Sequence, residues 1–232
     1  YALNSYYVYP TDGLLQESDF TKDALGNWIP KEGVVIFDGQ QPGDIKYLDV
    51  SGPDGKPDNK ITTDDRVIRG NDQPDLNYFA NVSFNYKKWS FEVLFQGVTG
   101  VDAYYNAPFS NGLNLTGDGL TPMKAQLDYW TPSNPGAHYP RLTPSPDYGN
   151  NHHASDYWHF DASYCRVKYI QVGYMFDQMS LKKVGISSIR VYVNAQNPFT
   201  FAKESMVDPE SRGQMGSYPL LKTYSVGLSL NF

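Results

Sequence analysis

Apolar and polar residues alternate with a period of two in several stretches of this chain, most strictly from Lys222 to Phe232. There Tyr224, Val226, Leu228, Leu230 and Phe232 share one face, and Thr223, Ser225, Gly227, Ser229 and Asn231 the other. Such a segment predicts a β-strand with one greasy and one polar side. Its length suits a tilted strand crossing a bilayer, which takes ~9–11 residues. Asn77 to Tyr86 repeats the pattern, with Tyr78, Ala80, Val82, Phe84 and Tyr86 opposite Asn77, Asn81, Ser83 and Asn85; Phe79 is the exception. After Lys87-Lys88, Trp89, Phe91, Val93 and Phe95 oppose Ser90, Glu92 and Gln96, with Leu94 out of phase. Two alternating runs joined this tightly predict a hairpin.

Two more strands are expected in the last third. Tyr164 to Phe176 starts with Cys165, Val167 and Tyr169 on one face and then switches to Ile170, Val172, Tyr174 and Phe176. A phase slip of this kind predicts a β-bulge near Tyr169-Ile170, or else a strand that leaves the membrane band halfway along. Arg166 and Lys168 fall on its polar face. Ile189, Val191, Val193 and Ala195 alternate with Ser188, Arg190, Tyr192, Asn194 and Gln196, a strand expected to end at Asn197-Pro198. Short strands are also expected at Asn4 to Tyr9, before Pro10, and at Val34-Val35-Ile36.

The chemistry of the polar faces changes what these strands imply. A solvated face on a soluble sheet usually carries Lys, Glu and Thr, whereas these carry mostly Asn, Ser and Gln. The apolar faces are bulky, with rings near the strand ends at Tyr78, Tyr86, Trp89, Tyr224 and Phe232. An outward apolar band with aromatic girdles around a polar interior is the signature of a transmembrane barrel. The expected fold is therefore all-β, about six or seven strands of a large antiparallel barrel with long extracellular loops.

Composition agrees and excludes other classes. With Tyr 19, Phe 12, Gly 20 and Pro 16 in 232 residues and only 19% charged, the chain suits strands and turns. A net charge of −6 argues against nucleic acid. The single cysteine, Cys165, excludes an intrachain disulfide and a cysteine-held zinc. No apolar run approaches the ~18–20 residues of a membrane helix. A start at Tyr1, without an initiator Met or signal peptide, reads as internal.

Two long connections carry the remaining candidate chemistry. The first, residues 10–75, is rich in turn residues and contains an acidic stretch from Asp49 to Arg66. Asp58, Asn59, Ile61 and Asp65 fit positions five, six, eight and twelve of an EF-type loop, with Asp49 and Ser51 at one and three if Gly52 to Pro57 bulges out. Asp49, Ser51, Asp58 and Asp65 are thus candidate Ca²⁺ ligands; the plainer reading has their carboxylates capping backbone N–H groups. The second, residues 100–156, predicts a short helix at Thr121 to Asp128, with Thr121 as N-cap and Pro122 at its first position. Tyr104, Tyr105, Tyr129, Trp130 and Trp158, with Tyr157, are candidates to face a ligand or partner, or else to hold the loop together. His152-His153 and His159 could ligate a metal, although adjacent histidines diverge in an extended chain.

Several blocks resemble the SusC/RagA family of TonB-dependent outer-membrane receptors. They are Gly43 to Tyr47 leading to Asp65 to Ile68, Phe160 to Tyr174, Val184 to Tyr192 with Asn194 to Thr200, Asp208-Pro209-Glu210, and Tyr218 to Tyr224 before the final Phe232. They follow the family's order and span nearly the whole chain. The likeness departs at the acidic loop, where the family's compact D-x-N-x-D-G run is interrupted by an insertion. The resemblance implies the C-terminal part of a barrel of about 22 strands, with the plug and earlier strands upstream. It also implies import of oligosaccharides or peptides beneath a SusD-like lipoprotein, driven by the TonB complex through the absent N-terminal region. Tyr224, Val226, Leu228, Leu230 and Phe232 would then form the outer-membrane assembly signal, and Arg166 and Lys168 would line the lumen or meet acidic groups on whatever plugs it. The rival reading is a soluble all-β carbohydrate-binding module with a Ca²⁺-stiffened loop. No enzyme is expected, since no carboxylate pair sits in a catalytic motif.

Overall fold

The computed structural model describes residues 4–105, 124–143, 150–176, 185–204, 207–213, 218 and 220–231. They divide into two compact units. One gathers Tyr1–Asp72, Asp102–Phe160 and Arg212–Met215; the other Gln73–Val101, Asp161–Ser211 and Gly216–Phe232.

The second unit is a sheet of five antiparallel strands: β7 (Leu76–Tyr86), β8 (Trp89–Thr99), β11 (Tyr164–Phe176), β12 (Ser188–Ala202) and β13 (Thr223–Asn231). Their order is β13-β12-β11-β8-β7. The expected hairpin is present: Tyr86 faces Trp89 across a turn in which Lys87 takes φ 56°. The apolar positions foreseen on β7, β8, β12 and β13 share one side, but Tyr169, expected beside Val167, falls on the polar side opposite Leu94 and Gln196. Phe84 lies beside Phe91, Val82 beside Val93, and Leu228 beside Val191, which in turn faces Tyr174. None of these side chains is buried: Phe84 is 57% exposed, Leu228 60% and Val226 76%.

The predicted bulge lies one residue earlier than expected. Val167 faces Phe95 and Phe199, and Tyr169 faces Leu94 and Gln196, so Lys168 is the extra residue. On β12 the same step skips Asn197 and Pro198, with Asn197 at φ 50°. Proline is tolerated there because a bulge asks nothing of its missing N–H. The strand therefore runs on to Ala202, where the sequence had predicted its end.

The first unit holds short ribbons. β1 (Ser5–Val8) pairs with β6 (Val67–Asn71), β2 (Thr11–Leu14) with β5 (Ile45–Tyr47), β3 (Phe20–Lys22) with β4 (Trp28–Pro30), and β9 (Asp102–Tyr104) with β10 (His159–Asp161). Val34-Val35-Ile36 is not a strand. Its backbone is spent locally, the Val34 N–H closing a turn on the Lys31 carbonyl at 3.0 Å. Of the expected six or seven strands, five make the sheet and the one at Ser5–Val8 pairs apart. Thr121, Pro122 and Met123 lie outside the described residues; Lys124–Leu127 within that expected helix is a 3-10 turn. Here the apolar core is dry: Leu15, Ile45, Tyr47, Ala103 and Trp158 are all fully buried.

Candidate functional site

The polar face of the sheet carries a clamp that begins with the bulge at Lys168. Arg166 and Lys168, two residues apart, share the polar side and both reach the same acidic turn, while the extra residue lets Val167 and Ile170 keep the apolar face continuous. Arg166 is 2% exposed. Its Nη2 donates to both carboxylate oxygens of Asp208 (2.8 and 2.7 Å), its Nε to Thr200 Oγ1 (2.8 Å), and its Nη1 lies 3.0 Å from Glu210 Oε2. Glu210 Oε1 also receives Lys168 Nζ and the Tyr164 hydroxyl, each at 2.8 Å. Two cations thus face two carboxylates, and the planar guanidinium supplies the fork that fixes the geometry. Lys168 and Arg166 were expected to line a lumen or meet acids elsewhere; the acids they meet belong to this chain, in the 3-10 turn Pro209–Ser211 and the residue before it. The Asp208-Pro209-Glu210 block was visible in the sequence, but nothing in spacing ties it to a strand some forty residues earlier.

Further along the same face, two glycines make room for large neighbours. A Cβ on Gly227 would stand 2.1 Å from Tyr192 Cζ, and one on Gly173 would stand 2.6 Å from Ser90 Oγ and 2.9 Å from Arg190 Nε. Tyr192 therefore lies over its cross-strand partner, while Arg190 reaches across Gly173 to Ser90 Oγ at 2.9 Å.

In the first unit, the candidate Ca²⁺ ligands are engaged with backbone. Gly52 to Pro57 does turn out of line, closed by Gly55 N–H on the Gly52 carbonyl at 2.8 Å, and Asp49 and Asp58 are brought together. Asp49 accepts from the N–H groups of Asp58 and Asn59 (3.3 and 2.6 Å), and Asp58 from that of Lys60 (3.1 Å). Asp65, fully buried, accepts from Val50, Ser51 and Thr62 at 2.8, 2.9 and 2.7 Å. Ser51 enters through its N–H, as a donor to Asp65. Among the described residues no three His, Cys, Asp or Glu converge as a metal-ligand set. This arrangement stiffens a turn by capping its donors.

The loop aromatics mostly face inward. Trp158 is 1% exposed and donates its indole N–H to the Asn151 carbonyl (2.9 Å); Trp130 is buried and donates to Gln16 Oε1 (3.1 Å). Gly43, at φ 89°, lets the Trp130 ring approach to where a Cβ would be 2.4 Å away. Tyr105 is buried against Phe160, Tyr104 sits edge-on to His159, and Tyr129 remains half-buried. Burial pushes the Tyr104 hydroxyl up to about 12. His153 stacks on Phe37 at 4.2 Å and His159 meets Tyr6 edge-on at 4.4 Å, so these rings act as packing groups. Beside them the fully buried Asp44 accepts from Arg141 Nε (2.7 Å), Asn151 Nδ2 (2.9 Å) and the Gln41 N–H (2.8 Å). Sequence reasoning did not single out this knot, since Asp44 and Arg141 lie far apart along the chain.

No family model matches the chain. It is 28% identical to the TonB-dependent receptor P3 of Formosa agariphila, over 100% of this chain and 22% of that protein. It is 27% identical to the TonB-dependent receptor SusC of Bacteroides thetaiotaomicron, over 100% of this chain and 20% of that protein. The structure superposes on that of the RagAB peptide transporter with a TM-score of 0.64 at 22% identity, covering 99% of this chain and 23% of the other. The chain is similar to a segment of SusC/RagA-like receptors. It spans about a fifth of the length of the curated relatives it matches. The likeness to RagAB shows the fold, and with it the expected class: strands of a large antiparallel barrel, of which the SusC/RagA-like chain contributes five long ones. Of the terminal-strand residues proposed as an assembly signal, Tyr224, Val226, Leu228 and Leu230 are exposed along one side of β13; Phe232 lies outside the described residues.

Proposed function

We propose that this chain is the C-terminal part of the barrel of a TonB-dependent outer-membrane transporter that imports oligosaccharides or peptides together with a SusD-like surface lipoprotein. The single observation that carries the reading is the bare apolar side of the sheet. In a soluble module Phe84, Val191 and Leu228 would meet in a dry core, whereas Phe84 and Leu228 stay more than half exposed and Val191 is half-buried. Hydrocarbon is the solvent that suits such a surface, and the amide- and hydroxyl-bearing side then faces an aqueous lumen. The names of the relatives, TonB-dependent receptors and a peptide transporter, agree with this assignment.

On this reading the sheet is barrel wall, and the long connections, braced within by Asp65, Asp44 and Trp158, are extracellular loops. Energy comes from the TonB complex acting on residues upstream. The segment conducts and positions; it catalyses no bond change. The test is fractionation of cells expressing the full receptor. The expected result is recovery in the outer membrane, extraction only by detergent, and co-purification with the surface lipoprotein. A monomer soluble without detergent would end the proposal in favour of the soluble binding module.

A further inference from the structure

We propose that Arg166 is the positioning residue of the conduit wall, holding the Asp208–Ser211 turn folded onto the polar face as a fixed step. The inference rests on the lumenal reading of that face. Loops between barrel strands ordinarily project away from the wall; this turn doubles back on it. Three side chains of β11 (Tyr164, Arg166 and Lys168) converge on the turn, and Thr200 of β12 anchors the Arg166 guanidinium by accepting from its Nε. The turn is braced from within as well: Glu210 N–H donates to Asp208 Oδ1 at 2.9 Å, Ser211 Oγ donates to the Asp208 carbonyl at 2.7 Å, and Pro209 is buried.

The charges in the clamp cancel, two against two, so it presents no spare cation or carboxylate to a passing solute. Its output is shape. With the turn docked, the wall narrows at its loop-bearing end by the thickness of one turn of chain; with the turn loose, that step disappears. Arg166 decides between the two, because among the described residues its guanidinium alone bridges Asp208, Glu210 and Thr200. Lys168 and Tyr164 reach only Glu210.

The test uses the full receptor in its own outer membrane, with Cys165→Ser to remove the native thiol and Pro209→Cys as a reporter. The rate of labelling by a membrane-impermeant maleimide on intact cells is compared for Arg166, Arg166→Met, Arg166→Lys and the charge swap Arg166→Asp with Asp208→Arg. Slow labelling with Arg166, at least about tenfold faster labelling with Met, an intermediate rate with Lys and recovery in the swap would support the clamp. Equal rates in the Arg and Met backgrounds would overturn it. If the Met variant does not reach the membrane, the Lys variant and the swap decide: a rate raised by Lys and restored by the swap supports the clamp, and no difference overturns it. The functional half is read from uptake of a length ladder of fluorescent oligopeptides: the longest peptide accepted increases with Met. An unchanged cut-off despite a loosened turn would reduce Arg166 to a structural role. A receptor absent from the outer membrane in every background, wild type included, would instead count against the proposed function.

Discussion

The two units of this chain obey opposite rules of burial. The loop unit has little regular structure, yet its Leu15, Ile45, Tyr47 and Trp158 are as dry as any protein core. The sheet has long, regular strands, yet much of its apolar side is left open, Phe84 at 57%, Leu228 at 60% and Val226 at 76% exposure. A hydrophobic side chain buried against protein and one left bare imply different solvents. Water surrounds the first unit and forces its rings inward; the second needs a medium in which Leu and Phe outside cost nothing. Polar groups separate in the same way. In the loops, buried Asp44 and Asp65 each satisfy several backbone or side-chain donors. On the sheet the polar residues lie on one face, where Arg166 and Lys168 pair with Asp208 and Glu210.

The comparison can be broken from either side. The largest effect is expected at Trp158→Ala, which empties the loop core and removes an indole hydrogen bond; it should destabilise that unit by about 3–5 kcal/mol, read as rapid proteolysis of the loops in an otherwise assembled barrel. Next is Leu228→Arg. On a lipid-facing strand it should cost about 2–4 kcal/mol and lower the amount of heat-modifiable barrel, whereas on a soluble surface it would be nearly neutral. Asp65→Ala should follow at about 1–3 kcal/mol, since three backbone N–H groups lose their acceptor. If the carboxylates of Asp49 and Asp65 serve only the backbone donors they accept from, the same loop should be indifferent to EDTA; a melting temperature lowered by EDTA would favour the Ca²⁺ reading instead.

The smallest effect concerns pH. Burial first, and the Arg66 guanidinium second, hold His153 below its ordinary value near 6.5. His159 is also lowered by burial, with Asp102 and Asp156 opposing. As pH falls, the unfolded loops bind protons before the folded ones do. Stability is therefore full above about 6.5 and declines as pH drops below it. Thermal unfolding of the loop unit, followed by tryptophan fluorescence at pH 7.5 and 5.5, should show the loss, and His153→Phe should reduce it.

How much of this was legible in the sequence follows from the same contrast. Period-two alternation revealed all five long strands, because a strand that separates lipid from water must alternate along its whole length. The phase slip between Val167 and Ile170 revealed the bulge for the same reason. The ribbons β2 to β5 left no trace: three or four residues hold no period, and the partner of Leu14 is Ile45, across thirty residues of turns. Apolar Val34-Val35-Ile36 looked like a strand because composition alone says nothing of where its N–H groups go. The acidic run from Asp49 to Asp65 suggested an ion because carboxylates that bind calcium and carboxylates that cap a turn share the same residue types. The clamp at Arg166 escaped because its halves lie in separate segments, and no spacing along the chain ties Asp208 and Glu210 to Arg166 and Lys168.

The most direct test is to ask which solvent each face touches. In the full receptor reconstituted into bilayers, with Cys165→Ser, single cysteines replace Phe84, Val193 or Leu228 on one face and Ser83, Asn194 or Ser229 on the other, each carrying an environment-sensitive fluorophore. Lipids brominated on their acyl chains should quench the first three and spare the second three. Quenching of Ser83, Asn194 and Ser229 positions with Phe84, Val193 and Leu228 spared, or no quenching at all, would contradict the account.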